Sequence, residues 1–296
     1  MDTNIIINYI APFLIVNGIS NYVFQKNIEK KVIENFSFDQ KNILLKDLPD
    51  QLIIPDILKK YTKKLESEFD NKSLENLYRN ISNVQINKKI ILILRGLAGS
   101  YITSENKINY SIESALSHEF IHMASSCYDK DNNISKSGFL DFNEKAVFGR
   151  SLNEGYTELL NKRYLNPKSS GYNEEVYIVK FFELLFDNKE LENFYFTNDF
   201  ISIIKILKKY MTIEEAINLI SNFDLGFKLK YNFNPAYLPI YINIKSKLAD
   251  IFIKNNHSLL KQLDYLVLLN ENPLINTIQN VNLILNKKNY SLTKSL

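Results

Sequence analysis

The sequence predicts an α+β fold: a small sheet beside two helices rich in potential ligands, closed by a mostly helical C-terminal lobe. Three observations lead to it. Residues 90–94 (Ile90, Ile91, Leu92, Ile93, Leu94) form an unbroken β-rich apolar run, the best strand in the chain. Residues 111–124 and 149–164 each place apolar side chains at helical period. Beyond residue 173 apolar residues recur at helical spacing over 176–186, 200–207, 213–220, 240–253, 258–269 and 273–285, with turn signals at Asp224-Leu225-Gly226 and Asn234-Pro235-Ala236. The chain divides into an N-terminal scaffold region (1–85), a core (86–168) and the helical lobe (169–296).

Composition bounds what this fold does. With 296 residues and 45% apolar content the chain can bury a sizeable core. A net charge of +3 with 23% charged residues points neither to nucleic-acid binding nor to disorder. The single cysteine, Cys127, excludes an intrachain disulfide, and it reads as a small apolar residue at a helix end rather than a thiolate ligand. The apolar run 5–16 is interrupted by Asn8 and Pro12, follows Asp2, lacks a basic flank and is too short to span a bilayer. It is expected to be a buried first helix or strand, in a cytoplasmic chain with no membrane span.

Taken in order, residues 22–24, 42–47 and 51–54 are short, with turn residues Pro49 and Asp50 between the last two. Ile57, Leu58, Tyr61, Leu65, Phe69, Leu74 and Leu77 recur among Lys and Glu at helical spacing, predicting an amphipathic helix or helix pair over 56–78. After the strand, Gly96-x-x-Gly99 lacks the Lys-Ser/Thr that a phosphate loop requires. Residues 101–103 and 108–110 read as strands around a turn at Glu105-Asn106, and their edge could pair with an extended peptide. Ser111 is a good N-cap and Glu113 suits the first turn of the helix that follows, which should end near 125–126. A polar loop over 129–133 precedes a return to apolar packing at 138–142. A second helix follows, ended by Asn166-Pro167.

The first of these helices contains His118-Glu119-x-x-His122, using two of the chain's three histidines. Residues four apart share a helical face one turn apart, so both imidazoles can grip one metal ion, and Glu119 can act on a water held there. Three histidines placed at random would give such a pair with an adjoining acid about twice in a thousand sequences. A catalytic zinc ion takes three protein ligands and keeps one open position. The third is not a histidine at the next expected spacing, where Ser125 and Tyr128 stand. The candidates are Asp129, Asp131, Asp141, Glu144, Glu154 and Glu158. Glu154 is chosen, with Glu144 in reserve: Glu154 and Glu158 lie one turn apart on the second helix, and a cation would relieve their repulsion. Arg150 and Lys162, each four residues from one of these acids, could relieve it instead. Ser151-x-x-Glu154 also fits a capping box, in which Glu154 would fold back on the backbone.

With these residues in hand, the chain resembles the gluzincin zinc metallopeptidases, the thermolysin-like branch of the zincins, over His118 to Glu158 and the preceding strand. Members carry H-E-x-x-H on one helix and Asn-Glu-x-x-x-Asp/Glu on the next, matched here by Asn153, Glu154 and Glu158. The 32 positions from His122 to Glu154 are more than typical members have, and imply an added excursion through 135–150. The resemblance implies a zincin-like core with one Zn²⁺ on His118, His122 and Glu154, with Glu158 holding the His118 imidazole and Asn153 that of His122. It implies hydrolysis of a peptide or protein substrate, with Glu119 as general base. It also implies an oxyanion donor beyond the second helix. Tyr172 is the residue chosen for that role, with Tyr156 and His257 as alternatives. A silent zincin fold used for binding, and a zinc hydrolase of a non-peptide amide, are the rival readings. Retention of Glu119 favours an enzyme.

Overall fold

The computed structural model describes residues 11–37, 47–89, 98–131, 134–143, 146–169, 171–187, 189–255 and 258–272. The run 90–94, His257, Glu144 and the stretch 273–285 lie outside them. The chain is α+β and mostly helical.

Helix α1, Ala11–Asn35, takes up the end of the 5–16 run, but it is not buried as expected: Ile15, Val16 and Ile19 are 60% or more exposed. The face it buries is largely polar, with Ile28 among it. Asn21, Gln25 and Glu29 repeat one turn apart, and the last two meet partners on a distant helix, Gln25 Nε2 to Ser221 Oγ at 3.4 Å and Asn218 Nδ2 to Glu29 Oε1 at 3.0 Å. Matched polar groups and the burial of Ile28 in the core together hold this helix in place. The 56–78 region forms the expected pair, with a 3₁₀ turn Asp56–Leu58 leading into α2, Lys59–Glu66, and then α3, Glu75–Ile81. Leu58, Tyr61, Leu65, Phe69, Leu74 and Leu77 are all buried, as the spacing requires.

Strands β1 (Gln85–Lys88), β2 (Gly99–Ile102) and β3 (Lys107–Tyr110) form a mixed sheet in the order β1-β3-β2, β1 parallel and β2 antiparallel to β3. Asn106 turns the chain between β2 and β3 in the left-handed conformation. Against this sheet lies α4, Glu113–Ala124, every residue of which is buried from Ala115 onward. Ser111 does not cap it. Ile112 holds the N-cap position, and Ser111 instead donates both its N–H (2.9 Å) and its hydroxyl (2.7 Å) to the Ala98 carbonyl, tying the start of the helix to the start of β2. At the other end the Asn80 amide donates to the carbonyls of Met123 (2.9 Å) and Ser126 (2.7 Å), meeting acceptors that a helix terminus leaves open.

The excursion before the second helix is an antiparallel meander that the sequence did not reveal: β4 (Ser126–Asp129), β5 (Ile134–Ser137), β6 (Leu140–Asn143) and β7 (Ala146–Phe148). Its strands are short and carry little alternation, so no period of two stood out. Cys127 is free and buried in β4, one step past the expected helix end. Phe139 and Phe148 anchor the meander in the core.

Helix α5, Arg150–Leu160, runs on as a π turn, Asn161–Leu165, and stops before Pro167 as expected. Its N-terminus is capped from afar. Asp224 accepts from the Gly149 N–H (2.8 Å), the Ser151 N–H (2.8 Å) and the Ser151 hydroxyl (2.5 Å). Gly149 sits at φ 82°, where a Cβ would strike the Phe139 carbonyl at 2.5 Å, so only glycine fits.

The lobe comprises α6 (Asn173–Glu183), α7 (Glu190–Phe196), α8 (Phe200–Leu207), α9 (Ile213–Tyr231), α10 (Tyr237–Lys254) and α11 (Leu259–Asn270). Helix α7 was not expected. Asp224-Leu225-Gly226 is not a turn but the middle of α9: Asp224 faces α5, and Gly226 gives way to the Tyr241 ring, which a Cβ would meet at 2.3 Å. Turn-like residues mark tertiary contacts here. A single apolar core runs from Ile28 through α4 and α5 to Leu268. Among the described residues no helix is long and apolar enough to cross a membrane.

Candidate metal centre

Because α4 is buried on all sides, its polar residues are held by partners inside the protein. His118 and His122 stand one turn apart, with their Nε2 atoms 3.1 Å from each other. Glu154 of α5 faces them and does not fold back on its own helix: Oε2 lies 3.4 Å from His118 Nε2 and 3.5 Å from His122 Nε2. The capping-box alternative fails because Ser151 lies inside α5, with its hydroxyl on Asp224. Among the described residues, His118, His122 and Glu154 form the one group of His, Cys, Asp and Glu side chains able to converge on a metal ion.

The chemistry of these donors fits zinc. Bonds of about 2.0–2.1 Å at tetrahedral angles separate neighbouring ligand atoms by about 3.3–3.4 Å, close to the 3.1, 3.4 and 3.5 Å between these three atoms. The remaining ring nitrogens fix the tautomers. His118 Nδ1–H donates to Glu158 Oε2 at 2.9 Å, as the resemblance implied. On the other ring, His122 Nδ1 faces Thr157 Oγ1 at 3.4 Å, and that hydroxyl already donates to the Asn153 carbonyl at 2.7 Å. Thr157 is therefore an acceptor, and both Nε2 atoms are turned toward Glu154.

Asn153 does not hold His122. Its side-chain oxygen accepts from the Phe139 N–H at 3.0 Å and pins the meander to α5. The side chain one position before Glu154 projects away from the imidazoles, and Thr157, one turn further on, occupies the place the resemblance gave it. Glu154, Thr157, Glu158 and Asn161 make a polar stripe at helical spacing, the signal in the sequence from which Thr157 could have been found. Arg150 and Lys162 do not neutralise the acids. Arg150 lies over the Phe227 ring at 5.7 Å, and Lys162 donates to Asn173 at 2.9 Å.

Glu119 is buried beside the histidines. β2 crosses so close that a Cβ on Gly99 would lie 2.7 Å from its carboxylate, and a larger residue there would have to push the Glu119 side chain aside. Burial raises the Glu119 carboxyl above its ordinary value, opposed by the charges of His118 and His122. Burial also opposes charge on His118, but hydrogen bonds to Glu154 and Glu158 outweigh it and push this imidazole up to about 10. On Glu154 burial is outweighed in turn by His122 and His118, which hold its carboxyl well below the usual range.

Tyr172, the residue chosen as oxyanion donor, lies beside His118. It precedes α6 at φ 51°, ψ 37°, a left-handed conformation uncommon for a bulky residue, and its ring stacks on His118 with centroids 5.4 Å apart and planes 26° apart. Phe227 backs it at 6.1 Å and Tyr231 flanks it at 6.3 Å. Burial and the neighbouring charges of Glu154 and Glu119 keep its hydroxyl protonated. Tyr156 is buried elsewhere and donates to Glu183 at 3.0 Å. Asp129 is also elsewhere, accepting from the Asp131 N–H at 3.1 Å.

Comparison with protein-family models, curated proteins and solved structures finds no match to this chain.

Proposed function

We propose that the chain is a zinc-dependent metallopeptidase of gluzincin type, with β1–β3, α4 and α5 as a zincin-like core. The observation that carries this reading is the convergence of three ligand atoms 3.1–3.5 Å apart, with the buried carboxylate of Glu119 beside them. Zinc on His118, His122 and Glu154 would lower the pKa of a water toward neutrality and polarise the carbonyl of the substrate.

The residues of the chain do the rest. Glu119 takes a proton from the attacking water and returns it to the leaving amine. Glu158 and Thr157 hold the two imidazoles in the tautomer that frees each Nε2. Tyr172 offers its protonated hydroxyl to the oxygen on which negative charge develops. β2 is an edge strand of the described sheet and lies directly over Glu119, where an extended peptide can add by main-chain hydrogen bonds.

The test is metal content of the purified chain together with cleavage of an unfolded protein. One zinc per chain and chelator-sensitive cleavage are expected. A chain that fails to retain zinc, cobalt or manganese overturns the reading.

A further inference from the structure

The groups that the proposed reaction uses come from three segments: α4, α5 and the residues leading into α6. One side chain touches all three. Glu158 Oε2 accepts from His118 Nδ1 at 2.9 Å and from Asn161 Nδ2 at 3.2 Å. Its other oxygen, Oε1, accepts from the Ser169 hydroxyl at 2.5 Å and from the Gly171 N–H at 3.1 Å. The side chain is 2% exposed, so these donors stand in for water that cannot reach it. Gly171 immediately precedes Tyr172, whose left-handed backbone needs an external hold. A carboxylate expected only to orient a metal ligand thus also anchors the segment that lays Tyr172 on the same imidazole.

We propose that Glu158 is a two-sided clamp and Ser169 a positioning residue: the Ser169 hydroxyl and Gly171 amide on one oxygen, with His118 on the other, link occupancy of the metal site to placement of Tyr172. The reason is reciprocal. Withdrawal of electron density through Nε2 makes Nδ1–H a stronger donor, which fixes the carboxylate plane and with it the acceptor that Ser169 and Gly171 share. By linkage, loss of the Ser169 bond loosens the metal site by the same free energy with which metal binding steadies the segment. For catalysis this rests on the peptidase reading. The clamp itself does not.

The experiment is hydrogen exchange at the Gly171 amide in the full chain, with and without added zinc, in wild type, Ser169→Ala and Ser169→Thr. Without zinc, Gly171 should exchange about tenfold faster in Ser169→Ala than in wild type or Ser169→Thr. Zinc should slow it further in wild type and Ser169→Thr, and less in Ser169→Ala, whose zinc affinity should fall about 3–10-fold, below the usual 10–100-fold for a direct partner of a ligand. Turnover should fall in kcat more than in KM, and threonine should restore it. Equal Gly171 exchange in wild type and Ser169→Ala overturns the clamp even if zinc binds and peptides are cut. Failure to bind zinc overturns the peptidase reading, while the zinc-free comparison still decides the clamp.

Discussion

The two helices that meet at the site are built on opposite principles. In α4 the chemistry is local: His118, Glu119 and His122 take their relation from the helix itself, and the surrounding residues are buried apolar packing. In α5 almost every polar residue answers to a partner far along the chain: Ser151 to Asp224, Asn153 to Phe139, Glu158 to His118, Ser169 and Gly171. A motif fixed by helical period can be read in ten residues. A ligand supplied across a tertiary contact depends on everything that places its helix.

That contrast can be broken in four ways, beginning with the largest expected effect. Glu119→Gln should lower cleavage by about 10²–10⁴-fold while metal content is unchanged, because the base is removed and the ligands stay. Loss of metal in this variant would mean that the local motif does not act as separate base and ligands. Next, Glu154→Ala should weaken zinc binding by more than about 100-fold, beyond the range for residues behind the ligands, whereas Glu144→Ala should leave it alone. Metal retained after dialysis of each variant decides between the two acids.

The third concerns what aims α5. Burial raises the Asp224 carboxyl from 3.8 to about 6 against the donors of Ser151 and Gly149. A carboxyl held up in the folded state contributes stability that is full below about pH 4 and is lost as pH rises through about 6. Asp224→Asn should therefore destabilise most near pH 4, and the penalty should shrink by on the order of 2–3 kcal/mol above pH 6. Denaturant midpoints at pH 4, 5, 6 and 7 measure this, and a penalty that grows with pH would reverse the assignment. The smallest effect is that of Asn153→Ala, which should cost about 1–2 kcal/mol in stability through the orphaned Phe139 amide. Its zinc affinity should not change. A tenfold loss of zinc there would restore to Asn153 the role that Thr157 has taken.

Much of the fold was legible because period and burial agree. Leu58, Tyr61, Leu65, Leu74 and Leu77 repeat at helical spacing and are all buried, and α8 matches the expected 200–207 stretch. The failures share a cause. Ser111, Asp224 and Gly226 have strong local meanings, as cap or turn, and each was taken up by a contact with another element. The apolar run 5–16 promised burial, yet Ile15 and Val16 are exposed and the helix instead buries Asn21, Gln25, Ile28 and Glu29, with partners on α9 for Gln25 and Glu29.

The sequence by itself determined the helix of His118, Glu119 and His122, since backbone geometry alone puts residues four apart on one face. Two acids a turn apart on α5 were also visible, but whether Glu154 capped its own helix or faced the imidazoles was not. Only the tertiary structure decided that, and with it the exchange of Asn153 for Thr157, the stacking of Tyr172 on His118 and the two-sided hold of Glu158. The physical reason is that a hydrogen bond between residues 40 apart in sequence has no local signature. It exists only once the core has brought the two helices within reach.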